Sequence, residues 1–269
     1  MNLSELCQEI VAIAKKTGEF IRAEAAAFDR SKIEHKGLND MVSYVDKQAE
    51  EQIIAGIKAV FPDSGFIAEE GTSDEKHEVY NWIIDPLDGT TNFIHGVPVF
   101  CVSIGLMERD EMVLGVIYEI NQDECFYATK GGGAFLNGKP IKVTDTPDLA
   151  NSLMVTGYPY TDFGWMQDYL QLLGGFMQKS HGVRRLGSAA ADLAYVACGR
   201  FEGFFEFNLK PWDVAAGVVI VREAGGRVTK FGGSGDPVFG KELLATNGRI
   251  HDETSQFILS YWNKSEQPL

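Results

Sequence analysis

The residues of this chain best suited to chemistry are carboxylates placed at the ends of apolar runs. In Trp82-Ile83-Ile84-Asp85-Pro86-Leu87-Asp88-Gly89-Thr90-Thr91-Asn92, an apolar run enters a turn that bears two acids three residues apart. Pro86 restricts the backbone between them, and Gly89 lets the chain pass close to a ligand. Thr90 and Thr91 can cap a following helix, whose free N–H groups favour an anion. Carboxylates beside an anion site make chemical sense when hard cations bridge the two, because Mg²⁺ binds carboxylates, water and phosphate oxygens together. Two further acidic sets share this setting. Glu69-Glu70-Gly71 closes the apolar run Phe66-Ile67-Ala68, and Trp212-Asp213 follows Pro211 and precedes the small residues Ala215-Ala216-Gly217. Each string alone also has a bland reading. Asp-Pro and Asp-Gly are favoured turn pairs, an Asp in a first helical turn often only offsets the dipole, and Glu70 suits a solvated surface.

Other chemistries lack their residues. No cysteine lies in a Cx5R loop and no serine in a GxSxG elbow, so no covalent nucleophile is evident. His35, His77, His95, His181 and His251 are scattered without paired-ligand spacing, and His95, although close to the acids, reads as structural. Gly131-Gly132-Gly133 lacks the GxGxxG spacing of a dinucleotide site and reads as a loop.

The elements that must position the acids follow from periodicity. Leu3, Leu6, Cys7, Ile10, Val11, Ala14 and Ile21 have the three-four spacing of an amphipathic helix, with Asn2 and Glu5 at its start. A second helix begins near Ser43, with Asp46 three residues on and Ala49, Ile53, Ile57 and Val60 as its apolar face, and stops at Phe61-Pro62. Strands are expected at 66–68 and 82–84. Val99 to Met107, Met112 to Ile120 and Cys125 to Ala128 should be successive antiparallel strands, and Asn137-Gly138 a tight turn. Helices are expected from Asp162 to Met177, from Ser188 to Gly199, from Pro211 to Ala224 and from His251 to Trp262. Strands are expected at Phe201 to Phe207, Arg227 to Lys230 and Leu243 to Thr246. Without a regular βαβ rhythm, the pattern implies a layered α/β architecture with sheets between helices.

Charge and composition narrow the partners. A formal net charge of −14 repels nucleic acid in bulk, and it poses a puzzle for any enzyme of phosphate esters that bound cations would resolve. Apolar stretches are broken well before the length of a membrane span, and Met1 to Glu9 lacks the basic region of a secretory signal, so a cytoplasmic protein is expected. Cys7, Cys101, Cys125 and Cys198 lie far apart in apolar patterns, as buried thiols do in a reducing compartment; disulfides are the alternative.

Taken together, Glu69-Glu70, Asp85-Pro86-Leu87-Asp88-Gly89-Thr90 and Trp212-Asp213-Val214-Ala215-Ala216-Gly217 resemble the signatures of the inositol monophosphatase family, in the family's order. Asp40-Met41-Val42-Ser43-Tyr44-Val45-Asp46 and Gly187-Ser188-Ala189-Ala190 are similar to two further family segments, and Glu206 falls where the family has a substrate-contacting glutamate. The resemblance implies an α-β-α-β-α sandwich of the inositol monophosphatase/fructose-1,6-bisphosphatase type. It implies one catalytic domain over 1–269, of two packed halves at about 1–145 and 146–269, that is usually a homodimer. It implies Mg²⁺-dependent, lithium-sensitive hydrolysis of a small phosphate monoester by a metal-activated water, with about two to three Mg²⁺ per site. Glu69, Asp85 and the Leu87 carbonyl would hold one metal, and Asp85, Asp88 and Asp213 a second, with a third near Glu69. Thr90, hydrogen-bonded to Asp46, would help Glu69 orient and deprotonate the water. Substrate would meet Asp88, Gly89, Thr90, Gly187, Ser188, Ala189, Glu206 and Asp213.

The substrate stays open. Thr156-Gly157-Tyr158-Pro159-Tyr160 departs from the serine-rich segment of relatives specialised for inositol phosphate and looks more like bacterial members. An inositol monophosphate leads, as a small phosphorylated polyol or sugar. Fructose 1,6-bisphosphate, nucleotide 3′-phosphates, NADP and histidinol phosphate are alternatives within the same chemistry, and Arg184, Arg185, Arg200 or Lys210 would be candidates for a second phosphate. A regulatory, RNA-associated homologue is the alternative of another class; the missing basic run disfavours it.

Overall fold

The computed structural model describes residues 2–28, 34–37, 40–73, 75–158 and 163–262, of which 34–37 and 40–42 by backbone alone. Helix α1 (Leu3–Ala27) starts where expected: the Asn2 side chain accepts the Ser4 and Glu5 amides at 3.1 and 3.3 Å. Its buried face is Leu6, Cys7, Ile10, Ala14, Thr17, Gly18 and Ile21. Strands β1 (Glu34–Gly37) and β2 (Asp40–Val42), which the apolar pattern did not announce, form an antiparallel pair. Helix α2 (Tyr44–Val60) opens on a capping box, in which Asp46 Oδ2 accepts the Ser43 amide at 2.9 Å.

A seven-stranded sheet follows the chain in order: β3 (Gly65–Ala68), β4 (Tyr80–Asp88), then, past the short helix α3 (Thr90–His95), β5 (Cys101–Glu108), β6 (Glu111–Glu119), β7 (Glu124–Thr129), β8 (Gly133–Leu136) and β9 (Lys139–Ile141). Only β3 and β4 run parallel. Asn137 and Gly138, at φ of 48° and 80°, make the two-residue turn between β8 and β9. The second half contributes β10 (Leu153–Thr156), α4 (Met166–Lys179), β11 (Gly182–Arg184), α5 (Ala189–Ala197), β12 (Gly203–Phe207), α6 (Pro211–Glu223), β13 (Arg227–Thr229), β14 (Glu242–Thr246) and α7 (His251–Leu259). Its sheet has the order β11-β10-β12-β14-β13, parallel across the first three strands and antiparallel across the rest.

The boundaries differ from expectation in ways local chemistry explains. Helix α4 begins at Met166; Asp162 lies outside the described residues. The strand expected from Phe201 starts at Gly203, because Phe201 and Arg200 hydrogen-bond back to the Tyr195 carbonyl as α5 ends. The last helix stops at Leu259 instead of Trp262.

Three apolar clusters separate the layers. Helices α1 and α2 cover one face of the large sheet, burying Ile10, Ile53, Trp82 and Ile104. Helices α5 and α6 lie between the sheets, packed on Ile83, Ile117 and Phe126 from one side and Val155, Phe204 and Leu243 from the other. Helices α4 and α7 cover the outer face of the small sheet over Phe205, Phe207 and Leu244. The result is the expected α-β-α-β-α sandwich. Helix α6 is buried at every position from Val214 to Val221, as a helix enclosed by two sheets must be. It approaches β6 so closely that a Cβ on Gly115 would stand 2.4 Å from the Ala216 carbonyl oxygen. The small residues after Asp213 therefore do permit close packing, and that packing brings the start of α6 to the end of β4.

Candidate active site

The two acids of β4 are aimed by a bulge. Asp85 pairs with Ser103 and Asp88 with Cys101, so β4 holds one residue more than β5 across this step. Pro86 can sit there because the ladder is already broken. The Leu87 amide donates to Asp85 Oδ1 at 2.9 Å, while the Leu87 carbonyl turns to the Thr90 hydroxyl at 3.1 Å. Gly89 then takes φ of +98°, with the Val99 carbonyl 3.0 Å from where a Cβ would be, so only glycine fits the turn without strain. Thr90 and Thr91 do not cap α3, contrary to expectation. Gly89 is its N-cap, with no side-chain cap, and the Thr90 hydroxyl is drawn instead to Asp46 Oδ1 at 3.0 Å.

Three elements deliver acids to this point. Parallel pairing of β3 with β4 sets Ala68 beside Ile84, and the Glu69 amide donates to the Ile84 carbonyl at 3.2 Å, which carries Glu69 to Asp85. The two carboxyls share a hydrogen bond. Asp213 sits in the first turn of α6, its Oδ2 accepting the Lys210 amide at 2.6 Å. Asp88 Oδ2 accepts the Ser188 hydroxyl and the Ala190 amide, both at 2.7 Å, so the start of α5 holds Asp88 in place. Ser188 also caps α5 through the Ala191 amide. Gly187, at φ of +95°, leaves the space the Arg185 guanidinium enters.

The electrostatics are those of acids crowded in low dielectric. Burial, then Glu69, Asp88 and Asp213, push Asp85 well above the usual carboxylate range. Burial and Asp88 lift Asp213 to about 7 against the opposing pull of the Lys210 amide and charge. Burial also raises Asp88, opposed by Ser188, the Ala189 and Ala190 amides and Arg185. Burial and mutual repulsion oppose joint ionisation of such a set, and a bound cation would relieve both. Four carboxylates and one carbonyl are hard oxygen donors of the kind Mg²⁺ takes. Among the described residues, no three side chains of ligand type already stand ready-made around one point.

Asp46 is buried within α2 and serves two partners, Ser43 through Oδ2 and Thr90 through Oδ1. Burial raises it, and its bonds from Ser43 and Thr90 oppose the rise. Glu206 is buried on β12, on the face of Phe204, while Phe205 and Phe207 pack on the outer face. Its carboxylate lies over Gly157, where a Cβ would stand 2.0 Å from Glu206 Oε1. Strand alternation therefore buries the phenylalanines and the glutamate alike, because both faces of this sheet are covered. Burial, Asp213 and Asp88 raise Glu206 well above its ordinary value.

Three residues escaped sequence reasoning. Asp192 is buried on α5 one turn past Ser188, facing Glu206, Asp88 and Arg185; a lone acid within Ala189–Ala197 was the available signal. The Cys101 thiol stands 3.4 Å from the Ser188 hydroxyl. Glu50, wholly buried on α2, holds the loop after Glu69. Of the basic candidates, Arg185 bears on Glu206 and Asp88 and lies 5.6 Å from the Tyr158 ring centroid. Arg200 is paired with Glu124 at 2.6 Å and stacked on Tyr195, and Arg184 is exposed.

The five-layered α/β fold, with buried acids at a strand end beside helix N-termini, matches a known phosphatase superfamily. Residues 2–265 match the model of the inositol monophosphatase family, and the chain belongs to that family. It is 40% identical over 238 residues to the putative Nus factor SuhB of Neisseria meningitidis, covering 88% of this chain and 91% of that one. It is 38% identical over 260 residues to the fructose-1,6-bisphosphatase/inositol-1-monophosphatase of Aquifex aeolicus, covering 97% of each. The inositol monophosphatase structure from Anabaena superposes with a TM-score of 0.86 at 37% identity, over 99% of this chain and all of that one.

Proposed function

We propose that this chain is a Mg²⁺-dependent phosphomonoesterase whose substrate is a small phosphorylated polyol, an inositol monophosphate first. The observation that supports it most is that Glu69, Asp88 and Asp213, with the acids coming from three elements, bear on buried Asp85, beside a threonine hydroxyl bonded to a buried carboxylate. Glu69, Asp85 and the Leu87 carbonyl would hold one ion, Asp85, Asp88 and Asp213 a second, and Glu69 would border a third. Bound Mg²⁺ supplies Lewis acidity toward the phosphoryl oxygens and lowers the pKa of water. Thr90 donates a hydrogen bond to Asp46 Oδ1, which would leave its oxygen lone pairs to orient the attacking water, and the Glu69 carboxylate would take that water's proton. The Gly89 and Thr90 amides and the start of α5 at Gly187, Ser188 and Ala189 face the phosphate and sugar. Glu206 accepts a hydroxyl of the substrate, which satisfies its buried charge. The catalytic unit is the whole chain, 1–269, in halves of about 1–145 and 146–269, working in the cytoplasm as a homodimer. A panel of inositol 1-phosphate, fructose 1,6-bisphosphate, a nucleotide 3′-phosphate and p-nitrophenyl phosphate, assayed with Mg²⁺, tests this. Preference for the bisphosphate by more than about tenfold, roughly 1.4 kcal/mol, would overturn the inositol reading and point to Arg185.

A second reading, a regulatory association such as the name Nus factor describes, is favoured by the 40% identity to that relative. It is compatible with an intact site. Capture of RNA or a transcription complex at physiological salt would establish it, and the charge of −14 argues against direct RNA contact.

A further inference from the structure

The Glu50 side chain reaches from α2 to the turn that follows β3. Its Oε2 accepts the Glu70 amide at 2.7 Å, and its Oε1 accepts the Thr72 amide at 2.8 Å and the Thr72 hydroxyl at 2.7 Å. Three donors from one turn, two of them main-chain, converge on one carboxylate that is 0% exposed. Between them Gly71 adopts φ of +66°, which lets the chain turn around the acid. This turn leaves β3, the edge strand of the large sheet, directly after Glu69. Asp46 lies one helical turn before Glu50, on the same face of α2 and equally buried, and binds the Thr90 hydroxyl at 3.0 Å. Neighbouring carboxylates on one helix face thus reach the loop of Glu69 and the loop of Thr90.

We propose that Glu50 is a positioning residue: with Asp46 it makes α2 the spacer that sets Glu69 against Thr90, the pair that orients the attacking water. The inference rests on the phosphatase reading. Glu50 acts through the Glu70 and Thr72 backbone and touches no substrate. Two amides and a hydroxyl held on one carboxylate are geometrically demanding, and they fix the height of this loop over the sheet together with the Glu69 amide's bond to the Ile84 carbonyl. Displacing a reacting group by about 1 Å can cost about 100-fold in rate.

The test uses Glu50→Gln and Thr72→Val in the full chain, with Glu69→Gln alongside. Four quantities are read: hydrogen exchange of the 70 and 72 amides, Mg²⁺ affinity by calorimetry without substrate, and kcat and KM on inositol 1-phosphate. Glu50→Gln cannot accept at both oxygens. It should exchange faster at 70 and 72, bind Mg²⁺ about tenfold more weakly and lose about 10–100-fold in kcat, with KM changed less than about threefold. Thr72→Val removes only the hydroxyl donor and should show the same pattern at about threefold size. If Glu50→Gln fails to fold, Thr72→Val decides by the same readouts. Faster exchange with kcat and Mg²⁺ affinity within about twofold of wild type overturns the proposal, as do losses that merely track the melting temperature in both variants. A dead Glu69→Gln beside an unimpaired Glu50→Gln sinks this inference alone. Full turnover by Glu69→Gln sinks the phosphatase reading with it.

Discussion

Asp88 and Asp213 are both held by donors at helix starts, the first by a hydroxyl and an amide of α5, the second by the Lys210 amide before α6. Their side chains are therefore fixed before any cation arrives, and each can lose its charge without losing its shape. Asp88→Asn and Asp213→Asn should cut kcat/KM by about 100-fold or more while the fold persists. Without Mg²⁺ their melting temperatures should match or exceed wild type, because like-charge repulsion is relieved. Activity within about threefold of wild type for both would sink the assignment. At Glu206 the expectation is selective. Glu206→Gln should cost about 1–3 kcal/mol in kcat/KM on inositol 1-phosphate and leave p-nitrophenyl phosphate nearly unchanged. An equal loss on both esters would make Glu206 part of the general architecture. The types and local spacings of these residues were legible because they are local. What escaped were partners distant in sequence: Gly157 clearing space for Glu206, and Asp192 facing both Glu206 and Arg185.

Between the sheets, element geometry decides where the acids meet. Helix α6 can bring Asp213 to β4 only while its backbone lies against β5 and β6, and Gly115 sets that approach. A methyl at position 115 would meet the Ala216 backbone, which cannot step aside as a side chain could. Gly115→Ala should destabilise by about 1–3 kcal/mol and reduce turnover; an unchanged urea midpoint would show that α6 has slack. At the other edge, α7 begins with buried His251, whose ring nitrogens stand 2.9 Å from the hydroxyls of Thr229 and Thr246. Burial and then Arg227 lower it to about 4 from 6.5, with Asp252 opposing. Below pH 6.5 the unfolded chain binds a proton that the folded chain refuses until about pH 4. Stability from this group is thus complete above 6.5 and lost progressively between 6.5 and 4, by at most about 3 kcal/mol. In urea unfolding at pH 7.5, 6 and 4.5, His251→Gln should lose less stability on acidification than wild type. Parallel curves would refute the assignment.

Across the whole molecule, a charge of −14 and a cluster of buried acids make cations part of the expected working state. Excess chelator should abolish turnover, added Mg²⁺ should restore it, and the melting temperature should rise with Mg²⁺ concentration as binding to the folded state requires. Millimolar-range Li⁺ should inhibit. Undiminished turnover in chelator would defeat the metal proposal, whereas indifference to Li⁺ would defeat only that part. No helix among the described residues is long and apolar enough to cross a membrane. From the chain alone one could read the donor types, the spacing of Asp85 and Asp88, the capping of α1, α2 and α5, and a layered α/β plan, because each shows in the pattern of nearby residues. Tertiary structure alone decided that α5 would hold Asp88 across 100 residues, that Glu50 would grip the turn after Glu69, and that Gly157 would clear space for Glu206. The reason is physical. Caps and turns are settled by local hydrogen bonds, whereas the charge state and aim of a buried acid depend on which distant backbone and which other acids packing brings against it.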